Sequence, residues 1–232
     1  MSHEYFEYVG LELDLFARAS NWRSYWSRFV SLYLGRDVLE VGAGIGSATL
    51  HLRSRAMTWT ALEPDENLAR QIPHDGGDTS LAVVTGSISD MPRDAKFDTV
   101  LYIDVLEHIE NDRQELLDAL ARLRSGGRLI VLAPAHQWLF SPFDAAVGHF
   151  RRYSKRTLRD IAPAGTTEIR CLYLDSLGIV MSAANRLLLR SSLPTPKQIR
   201  FWDRRLIPVT RVLDVLTAHR LGKSVLMVWQ KN

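Results

Sequence analysis

Cysteine is almost absent from this chain of 232 residues, which holds only Cys171. A single thiol cannot form an internal disulfide, so the composition favours a reducing compartment. Long apolar runs are also missing, since no stretch approaches the roughly 20 residues that span a bilayer. Acidic and aromatic side chains such as Glu4 and Phe6 stand where a secretory leader would have its apolar core. We therefore expect a cytoplasmic protein with neither a leader nor a membrane span.

The chain also lacks internal repeats and low-complexity tracts, and strand-like runs instead alternate with helix-like runs. The central strands are short and almost wholly apolar, which is typical of buried parallel strands. The predicted strands are Asp37–Val41, Thr58–Leu62, Leu81–Val84, Phe97–Ile103, Arg128–Ala133, Glu168–Leu174 and Ser224–Gln230. The predicted helices between them are Gly46–Arg53, Glu66–Ile72 and Asn111–Leu123, the last ended by Gly126 and Gly127. This alternation predicts an α/β fold with helices on both faces of a mostly parallel sheet.

Two regions lie outside this alternation: an N-terminal helical stretch, Tyr5–Leu34, and a long connection before the last strand, Asp175–Lys223. Connections of this length usually have a function. We therefore predict a single domain, 1–232, in which residues 1–34 form a helical lid and residues 175–223 form a helical insertion beside the substrate.

Apolar residues at helical spacing predict two helices within the insertion. Those of the first helix, predicted on one face, are Leu177, Val180, Met181, Ala184, Leu187 and Leu188. A break at Pro194 and Pro196 follows, and the second helix carries Leu206, Val209, Leu213 and Leu216 among several arginines.

The net charge of +3 conceals an asymmetry along the chain. Residues 1–150 hold 13 Lys and Arg against 21 Asp and Glu, whereas residues 151–232 hold 16 against 5. The basic third is either a solvated arginine-rich surface or a site for an anionic acceptor, a membrane surface or nucleic acid, in that order. Nucleic acid ranks last because the Gly-aromatic motifs of RNA-binding sheets are missing.

The segment Val38–Gly46 predicts a strand that runs into a glycine-rich turn and then a helix. Gly42 and Gly44 permit backbone angles and close approaches that a side chain would block. The chain can therefore wrap around a ligand at the carboxyl end of the first strand, where open α/β sheets bind ligands. Alone, this pattern would equally fit a nicotinamide or flavin enzyme.

Three further features narrow the choice of ligand. Glu63 ends the second strand about 20 residues after the glycines, where a carboxylate can accept hydrogen bonds from both ribose hydroxyls. Ser87 and Ile88 follow the third strand, and polar residues from Asp104 to His108 follow the fourth. No second phosphate-binding glycine loop lies between Leu81 and Pro92.

Together these segments resemble the ordered motifs of class I S-adenosylmethionine-dependent methyltransferases. The resemblance covers residues 37–134 through VLEVGAGIG, ALEPD, FDTVLYIDVLEHIEND and SGGRLIVLAP. The stretches Gly10–Leu13, Asn21–Tyr25 and Gly148–Ser154, the last of GHxRRYS type, resemble a bacterial small-molecule subgroup. The resemblance implies a Rossmann-like sheet of seven strands whose last strand is antiparallel and inserted beside the sixth.

The resemblance also implies roles in binding S-adenosylmethionine and its product S-adenosylhomocysteine. The residues that would shape the pocket for the methionine and ribose parts are Gly42, Ala43, Gly44 and Gly46. Glu63 with Pro64 would hold the ribose, and Asp104 would lie near the donor's amino group. Ser87 and Ile88 would flank adenine, although many relatives have Asp at the position of Ser87. The structural alternative is that Glu40, Glu63 and Asp98 only cap buried strands.

On the acceptor side, three histidines are candidates for the catalytic base: His108, His136 and His149. His136 lies in the loop after the fifth predicted strand, a loop that usually borders the acceptor. His149, followed by Arg151, Arg152 and Tyr153, belongs to a segment that is either an anion clamp or a structural latch. Aromatic residues of the N-terminal helix either cover the donor or pack the helix on the sheet, namely Trp22, Tyr25 and Trp26.

A metal site is the alternative use of these histidines. The ligand types are those of Mg²⁺ or Mn²⁺, from Asp104, Glu107, His108 and His149. The acidic-x-x-Glu-His run resembles quinone-biosynthesis O-methyltransferases and RNA 3′-end methyltransferases, and in the latter a later His completes a metal site. The same run is common in relatives with no known metal, where the Asp contacts the donor. We therefore predict no metal.

The sequence thus predicts methyl transfer from S-adenosylmethionine to a small-molecule acceptor, an aromatic or anionic specialised metabolite. The alternatives are methylation of a lipid-linked or glycan substrate at a membrane surface and a non-catalytic S-adenosylmethionine-binding protein. Nucleic acid is disfavoured as a partner, and a peripheral membrane contact is left open. The acceptor, the atom methylated and the oligomeric state do not follow from the sequence.

Overall fold

The computed structural model describes residues 11–74, 79–186 and 194–232, and within them the strands form one seven-stranded sheet. The strands are β1 (Asp37–Val41), β2 (Thr58–Glu63), β3 (Leu81–Thr85), β4 (Phe97–Ile103), β5 (Leu123–Pro134), β6 (Thr166–Leu174) and β7 (Ser224–Lys231). Their order is β3-β2-β1-β4-β5-β7-β6. Strands β1 to β5 are parallel, and β7 is antiparallel to both neighbours. The predicted Rossmann-like architecture is confirmed.

Helices cover both faces of this sheet, as the predicted alternation requires. They are α1 (Leu11–Ala17), α2 (Ser20–Val30), α3 (Ser47–Leu52), α4 (Glu66–Ala69), α5 (Asp112–Ala121), α6 (Pro142–Ala146), α7 (Lys155–Asp160), α8 (Ser176–Ala184), α9 (Pro196–Phe201) and α10 (Ile207–Leu216). Alternate residues of β5 enter two separate apolar clusters, Leu129 and Val131 on one face and Ile130 and Leu132 on the other. This alternation follows from the period of two along a strand.

The start of β5 differs from the prediction. The strand begins at Leu123 rather than Arg128, and α5 ends at Ala121, so the glycine pair does not end the helix. Gly126 has a φ of +74°, and a Cβ on Gly127 would lie 2.9 Å from the carbonyl oxygen of Arg124. The pair therefore accommodates the irregular beginning of the strand, where its register against β4 shifts.

The N-terminal helices are joined to the insertion by a capping interaction between distant parts of the chain. Ala19 precedes α2 and offers no side-chain cap. Asp203 supplies it, since its Oδ1 accepts the backbone N–H of Trp22 at 2.9 Å and its Oδ2 accepts the side-chain amide of Asn21 at 3.2 Å. The carboxylate satisfies a backbone donor that the helix start would otherwise leave unpaired.

The insertion contains the two predicted helices, α8 and α10. It also contains α9, which begins at Pro196, where only a break was predicted. A π-helical turn, Trp202–Leu206, joins α9 to α10. Leu187 and Leu188, predicted on the face of α8, lie outside the described residues. Val180, predicted on the same face as Met181, is instead exposed. The two side chains are adjacent and therefore project about 100° apart around the helix. None of the helices in the described ranges is long and apolar enough to cross a bilayer.

Candidate active site

The glycine turn after β1 has the backbone geometry that the sequence predicts. Gly42, Gly44 and Gly46 have φ angles of +70°, +55° and +80°. A Cβ on Gly42 would lie 2.7 Å from both Cγ atoms of Val105, and one on Gly46 would lie 2.9 Å from Ile72. Side chains at these positions would be strained as well as crowded. The turn therefore presents bare backbone to the space above the strand.

Glu63 holds this turn against the end of β2. One carboxylate oxygen accepts the backbone N–H of Gly44 at 2.7 Å, and the other accepts that of Asp65 at 3.0 Å. Burial raises the pKa of Glu63, while these hydrogen bonds act to lower it. A carboxylate has about four acceptor positions, so both ribose hydroxyls could still bind. Glu63 therefore has a structural role that the sequence did not predict, because its carboxylate anchors the glycine turn.

A cavity of about 370 Å³ lies at the carboxyl ends of β1 and β4. One wall is the glycine turn together with Asp104. Aromatic and apolar residues form much of the remaining lining: Phe16, Trp22, Trp26, Phe143, Met181, Ile199 and Trp202. Polar and charged residues also line it, including Glu40, Glu107, His108, His149, Arg152 and Lys223. The predicted donor loop, the N-terminal helices and the insertion thus meet around one space.

Asp104, predicted near the donor's amino group, faces this cavity from the turn after β4. Its φ of +53° is uncommon for a residue other than glycine. Burial raises the pKa of Asp104, and the nearby His149, Lys223 and Arg152 act to lower it. Strained backbone that holds an acidic side chain against a cavity is a feature that often marks a functional site.

Glu107, His108 and His149 come together in the cavity wall. The rings of the two histidines are 4.5 Å apart, and Nε2 of His149 lies 3.9 Å from a carboxylate oxygen of Glu107. Glu107 is fully buried, and neither oxygen accepts a hydrogen bond from another described residue. Burial raises the pKa of Glu107 well above its ordinary value.

These three residues are also the group that could hold a divalent metal. One ligand atom from each lies within 4.8 Å of the others. Among the described residues, this group does not include Asp104, the fourth residue of the predicted set. The alternative is that Glu107 is a buried, protonated acid, which its raised pKa favours.

His149 is oriented by a buried carboxylate. Its Nδ1 lies 2.9 Å from Oδ1 of Asp144, which also receives Nε of Arg152 at 2.7 Å. The other oxygen of Asp144 receives the second Arg152 nitrogen at 3.0 Å. Although burial acts to raise it, the hydrogen bonds from His149 and Arg152 hold the pKa of Asp144 well below its ordinary value.

The rest of the GHxRRYS-type segment makes similar internal contacts. Arg151 lies 2.7 Å from a carboxylate oxygen of Asp112, and the hydroxyl of Tyr153 donates to that carboxylate at 2.9 Å. Of the two predicted roles, these contacts are those of a structural latch. Because His149 belongs to this latch, the same contacts hold its side chain in the cavity lining.

Six predicted site residues do not line the cavity in the described part of the chain: Gly46, Glu63, Pro64, Ser87, Ile88 and His136. The ring of His136 packs 4.7 Å from that of Tyr173, and burial lowers its pKa. Ser87 caps a 3-10 turn through hydrogen bonds with Asp90. Ile88 is 1% exposed, so contact with an adenine ring would have to come from its backbone.

Two residues that line the cavity were given no ligand role by the sequence. Glu40 accepts hydrogen bonds from Thr49 at 2.5 Å and Trp59 at 2.8 Å, and burial raises its pKa to about 7. Lys223 places its Nζ 3.8 Å from the ring centroid of Trp202. The strand order contained the signal for Lys223, because an antiparallel β7 begins at the edge where the parallel strands end.

Comparison with known proteins supports the geometry. Residues 39–131, from β1 to β5, match the family model described as a methyltransferase domain. This segment is therefore similar to methyltransferase domains. The match covers the glycine turn, Glu63 and the Asp104–His108 run, whereas the N-terminal helices and the insertion lie outside it.

Three curated relatives show how varied the acceptors of similar proteins are. A demethylmenaquinone methyltransferase of Tropheryma whipplei (strain Twist) is 28% identical over 55% of this chain and 54% of the relative. An ajmaline N-methyltransferase of Rauvolfia serpentina is 27% identical over 54% and 44%. A tRNA U34 carboxymethyltransferase of Methylococcus capsulatus is 32% identical over 48% and 38%. The chain therefore spans about half the length, or less, of these relatives.

Solved structures agree on the fold over nearly the whole chain. A SAM-dependent methyltransferase from Archaeoglobus fulgidus gives a TM-score of 0.64 at 14% identity, over 95% of this chain and 97% of that one. Coclaurine N-methyltransferase bound to N-methylheliamine and SAH gives 0.61 at 14%, over 98% and 76%. The [4+2]-cyclase SpnF gives 0.63 at 16%, over 96% and 94%. The fold is that of class I methyltransferases, and these likenesses show the fold alone.

Proposed function

We propose that this protein transfers a methyl group from S-adenosylmethionine to an aromatic small molecule and releases S-adenosylhomocysteine. The observation that carries the proposal is the single cavity shared by the glycine turn, Asp104 and the insertion. A donor bound by the glycine turn and Asp104 would direct its methyl group toward an acceptor held by the insertion. Methyl transfer depends mainly on such positioning and on exclusion of water.

The donor side of the proposal gives these residues the roles that the family resemblance implies. Backbone of Gly42, Ala43 and Gly44 surrounds the methionine part, and Asp104 pairs with the donor's amino group. Glu63, with Pro64 beside it, accepts the ribose hydroxyls, and the Ser87 turn borders adenine. Negative charge at Asp104 also suits the positively charged sulfonium.

The acceptor side favours an aromatic molecule over an anion. Trp22, Trp26 and Trp202 offer ring surfaces against which an acceptor ring packs. Among the described residues, three cations line the cavity, and each already has acceptor partners. Arg152 lies 2.7 Å from Asp144 and Lys223 lies 3.6 Å from Asp175. Arg23 donates to the backbone carbonyls of Ala17 and Ser47. The named acceptors of two relatives, demethylmenaquinone and ajmaline, support a small molecule.

His149 is the residue we assign as base when the acceptor bears a proton. An electron pair of the acceptor forms the bond to the methyl carbon. The carbon–sulfur bond breaks, and the sulfur keeps the electron pair of the broken bond. The acceptor's proton passes to Nε2 of His149, whose Nδ1 faces Asp144. His108 serves less well, because burial and the neighbouring His149 lower its pKa to about 3.

The deciding experiment is turnover with labelled donor. The purified protein is incubated with methyl-labelled S-adenosylmethionine and host extract, and the labelled product is identified by mass. Label in a small aromatic product supports the proposal. Label in lipid, glycan or RNA replaces the acceptor class, and donor binding by calorimetry without turnover indicates a non-catalytic binding protein. Gly44→Val is the control variant, since its φ of +55° disfavours any side chain.

A further inference from the structure

The helical run formed by α9, the π-helical turn and α10 exposes large apolar side chains to solvent, which is the reverse of a usual surface helix. On α10, Val209, Val212, Val215 and Leu216 are 50%, 60%, 67% and 75% exposed. They lie within about 120° of one another around the helix axis. We refer to these four residues as the apolar patch. A soluble helix normally turns such residues toward its core.

The inward side of α10 explains why the helix does not rotate to bury this patch. Thr210 donates to a carboxylate oxygen of the buried Asp175 at 3.1 Å. Asp214 is fully buried and accepts the hydroxyl of Tyr25 at 2.9 Å and the backbone N–H of Asp175 at 2.8 Å. Rotation would break this polar network, and leaving its members unpaired is costly. The outward position of the apolar patch is therefore fixed by the fold.

Cations continue the same run toward its N-terminal end. Lys197, Arg200, Arg204 and Arg205 are exposed and surround a shallow depression together with Phe201, which is 57% exposed. We refer to these four basic residues as the cationic patch. Within the described part of the chain, none of them forms a salt bridge.

The distribution of acids makes the charge of this surface one-sided. Residues 175–223 contain only three acidic residues, Asp175, Asp203 and Asp214. All three are buried, with exposures of 0%, 2% and 0%. Every exposed charge among the described residues of the insertion is therefore positive. Such a surface selects an anionic partner.

We propose that this face docks onto a lipid bilayer that contains anionic lipids. An interfacial segment that combines exposed apolar side chains with lysine and arginine gains from both apolar burial and attraction to anionic headgroups. Self-association through the apolar patch explains the surface less well, because it would leave the cationic patch without an anionic partner. Nucleic acid would pair with the cationic patch but would leave the apolar patch exposed to solvent.

Docking here would place the active-site cavity close to the bilayer. Gln198, Ile199 and Trp202 of the same run line the cavity, while the cationic patch faces outward. The proposal rests on the proposed function and extends it: the aromatic small-molecule acceptor is one that partitions into the bilayer and is taken from there. Membrane docking itself does not depend on methyl transfer, so the two can fail separately.

The test is co-sedimentation of the full chain with phosphatidylcholine vesicles, with and without phosphatidylglycerol, at low and raised salt. We expect binding to the anionic vesicles that weakens as salt rises. Replacing Lys197, Arg200, Arg204 and Arg205 by Gln should reduce partitioning at least about tenfold. The matched control replaces four exposed cations outside the insertion: Arg55, Arg93, Arg113 and Arg156.

The apolar contribution is tested separately with Val212→Ser and Leu216→Ser together. Their control is Met57→Ser with Leu117→Ser, which also removes two exposed apolar side chains. We expect only the first pair to weaken vesicle binding. No sedimentation under any condition, or equal losses in patch and control variants, would overturn the proposal. A wild-type dimer that the Val212 and Leu216 changes dissociate, without vesicle binding, would assign the face to self-association instead.

Discussion

Nδ1 of His149 lies 2.9 Å from a carboxylate oxygen of Asp144, and this contact determines which ring nitrogen is left for the cavity. With Nδ1 donating to Asp144, Nε2 is the proton acceptor. We expect His149→Ala to lower turnover by roughly 10²–10⁴-fold for an acceptor that loses a proton. Donor affinity should not change. Release of S-adenosylhomocysteine and calorimetry measure the two quantities.

His136→Ala is the control for that experiment. The ring of His136 packs on Tyr173 rather than facing the cavity, so we expect turnover close to that of the wild type. A large loss in His136→Ala, combined with an active His149→Ala, would identify His136 as the base. Full activity in both variants would leave positioning alone as the source of catalysis.

Glu63 provides a prediction about donor affinity. Glu63→Ala removes the acceptor of the Gly44 N–H and a charged partner for the ribose, contacts worth about 1.5–3 kcal/mol. We expect the dissociation constant for the donor, measured by calorimetry, to rise at least about tenfold. Glu63→Gln keeps an oxygen acceptor and should lose less. Unchanged affinity in both variants would remove Glu63 from the donor site.

Asp203 provides a prediction about stability, because it caps α2 from the insertion. Asp203→Ala should lower the free energy of unfolding by about 1–3 kcal/mol, measured by urea denaturation. The control is Asp160→Ala, whose side chain is 58% exposed and lies 3.9 Å from Arg156. We expect a change below about 0.5 kcal/mol there. Equal effects would show that the cap does not join the two regions energetically.

The donor half of the site could be predicted from sequence because its determinants are local. A strand, a glycine turn and a helix are contiguous, so Gly42 and Gly44 could be placed without knowing the rest of the fold. Glu63 follows from the end of the next strand. The predicted start of β5 was wrong because a pair such as Gly126 and Gly127 indicates a helix end as readily as an irregular strand.

The acceptor half could not be predicted because it depends on side-chain direction and distant packing. His136 has a φ of +66°, a rare backbone conformation that no sequence pattern indicates. Asp144 lies five residues before His149 and has no motif of its own, yet it orients that ring. The exposed valines of α10 depend on buried bonds to Asp175 and Tyr25, which come from other parts of the chain.

Glu40 provides a prediction about pH. Burial raises its pKa to about 7, above the ordinary value of an unfolded glutamate, so the folded state holds a proton that the unfolded state has lost. Its contribution to stability is therefore lost as pH rises from about 4.5 to about 7. Glu40→Gln keeps an acceptor for Trp59 and carries no titrating group. We expect its unfolding free energy to fall less between pH 5 and pH 8 than that of the wild type. Parallel pH profiles would contradict the assigned shift.

The last prediction concerns the cluster of Glu107, His108 and His149. A protonated Glu107 accounts for a fully buried carboxyl without any ion, and burial raises its pKa in that direction. We therefore expect turnover to survive prolonged treatment with chelator and to be unchanged by added Mg²⁺ or Mn²⁺. If chelator stopped turnover and Mn²⁺ restored it, the three residues would be ligands, since their ligand atoms lie within 4.8 Å of one another. Glu107→Gln separates the cases further, because a neutral amide replaces a protonated carboxyl with little loss but makes a poorer metal ligand.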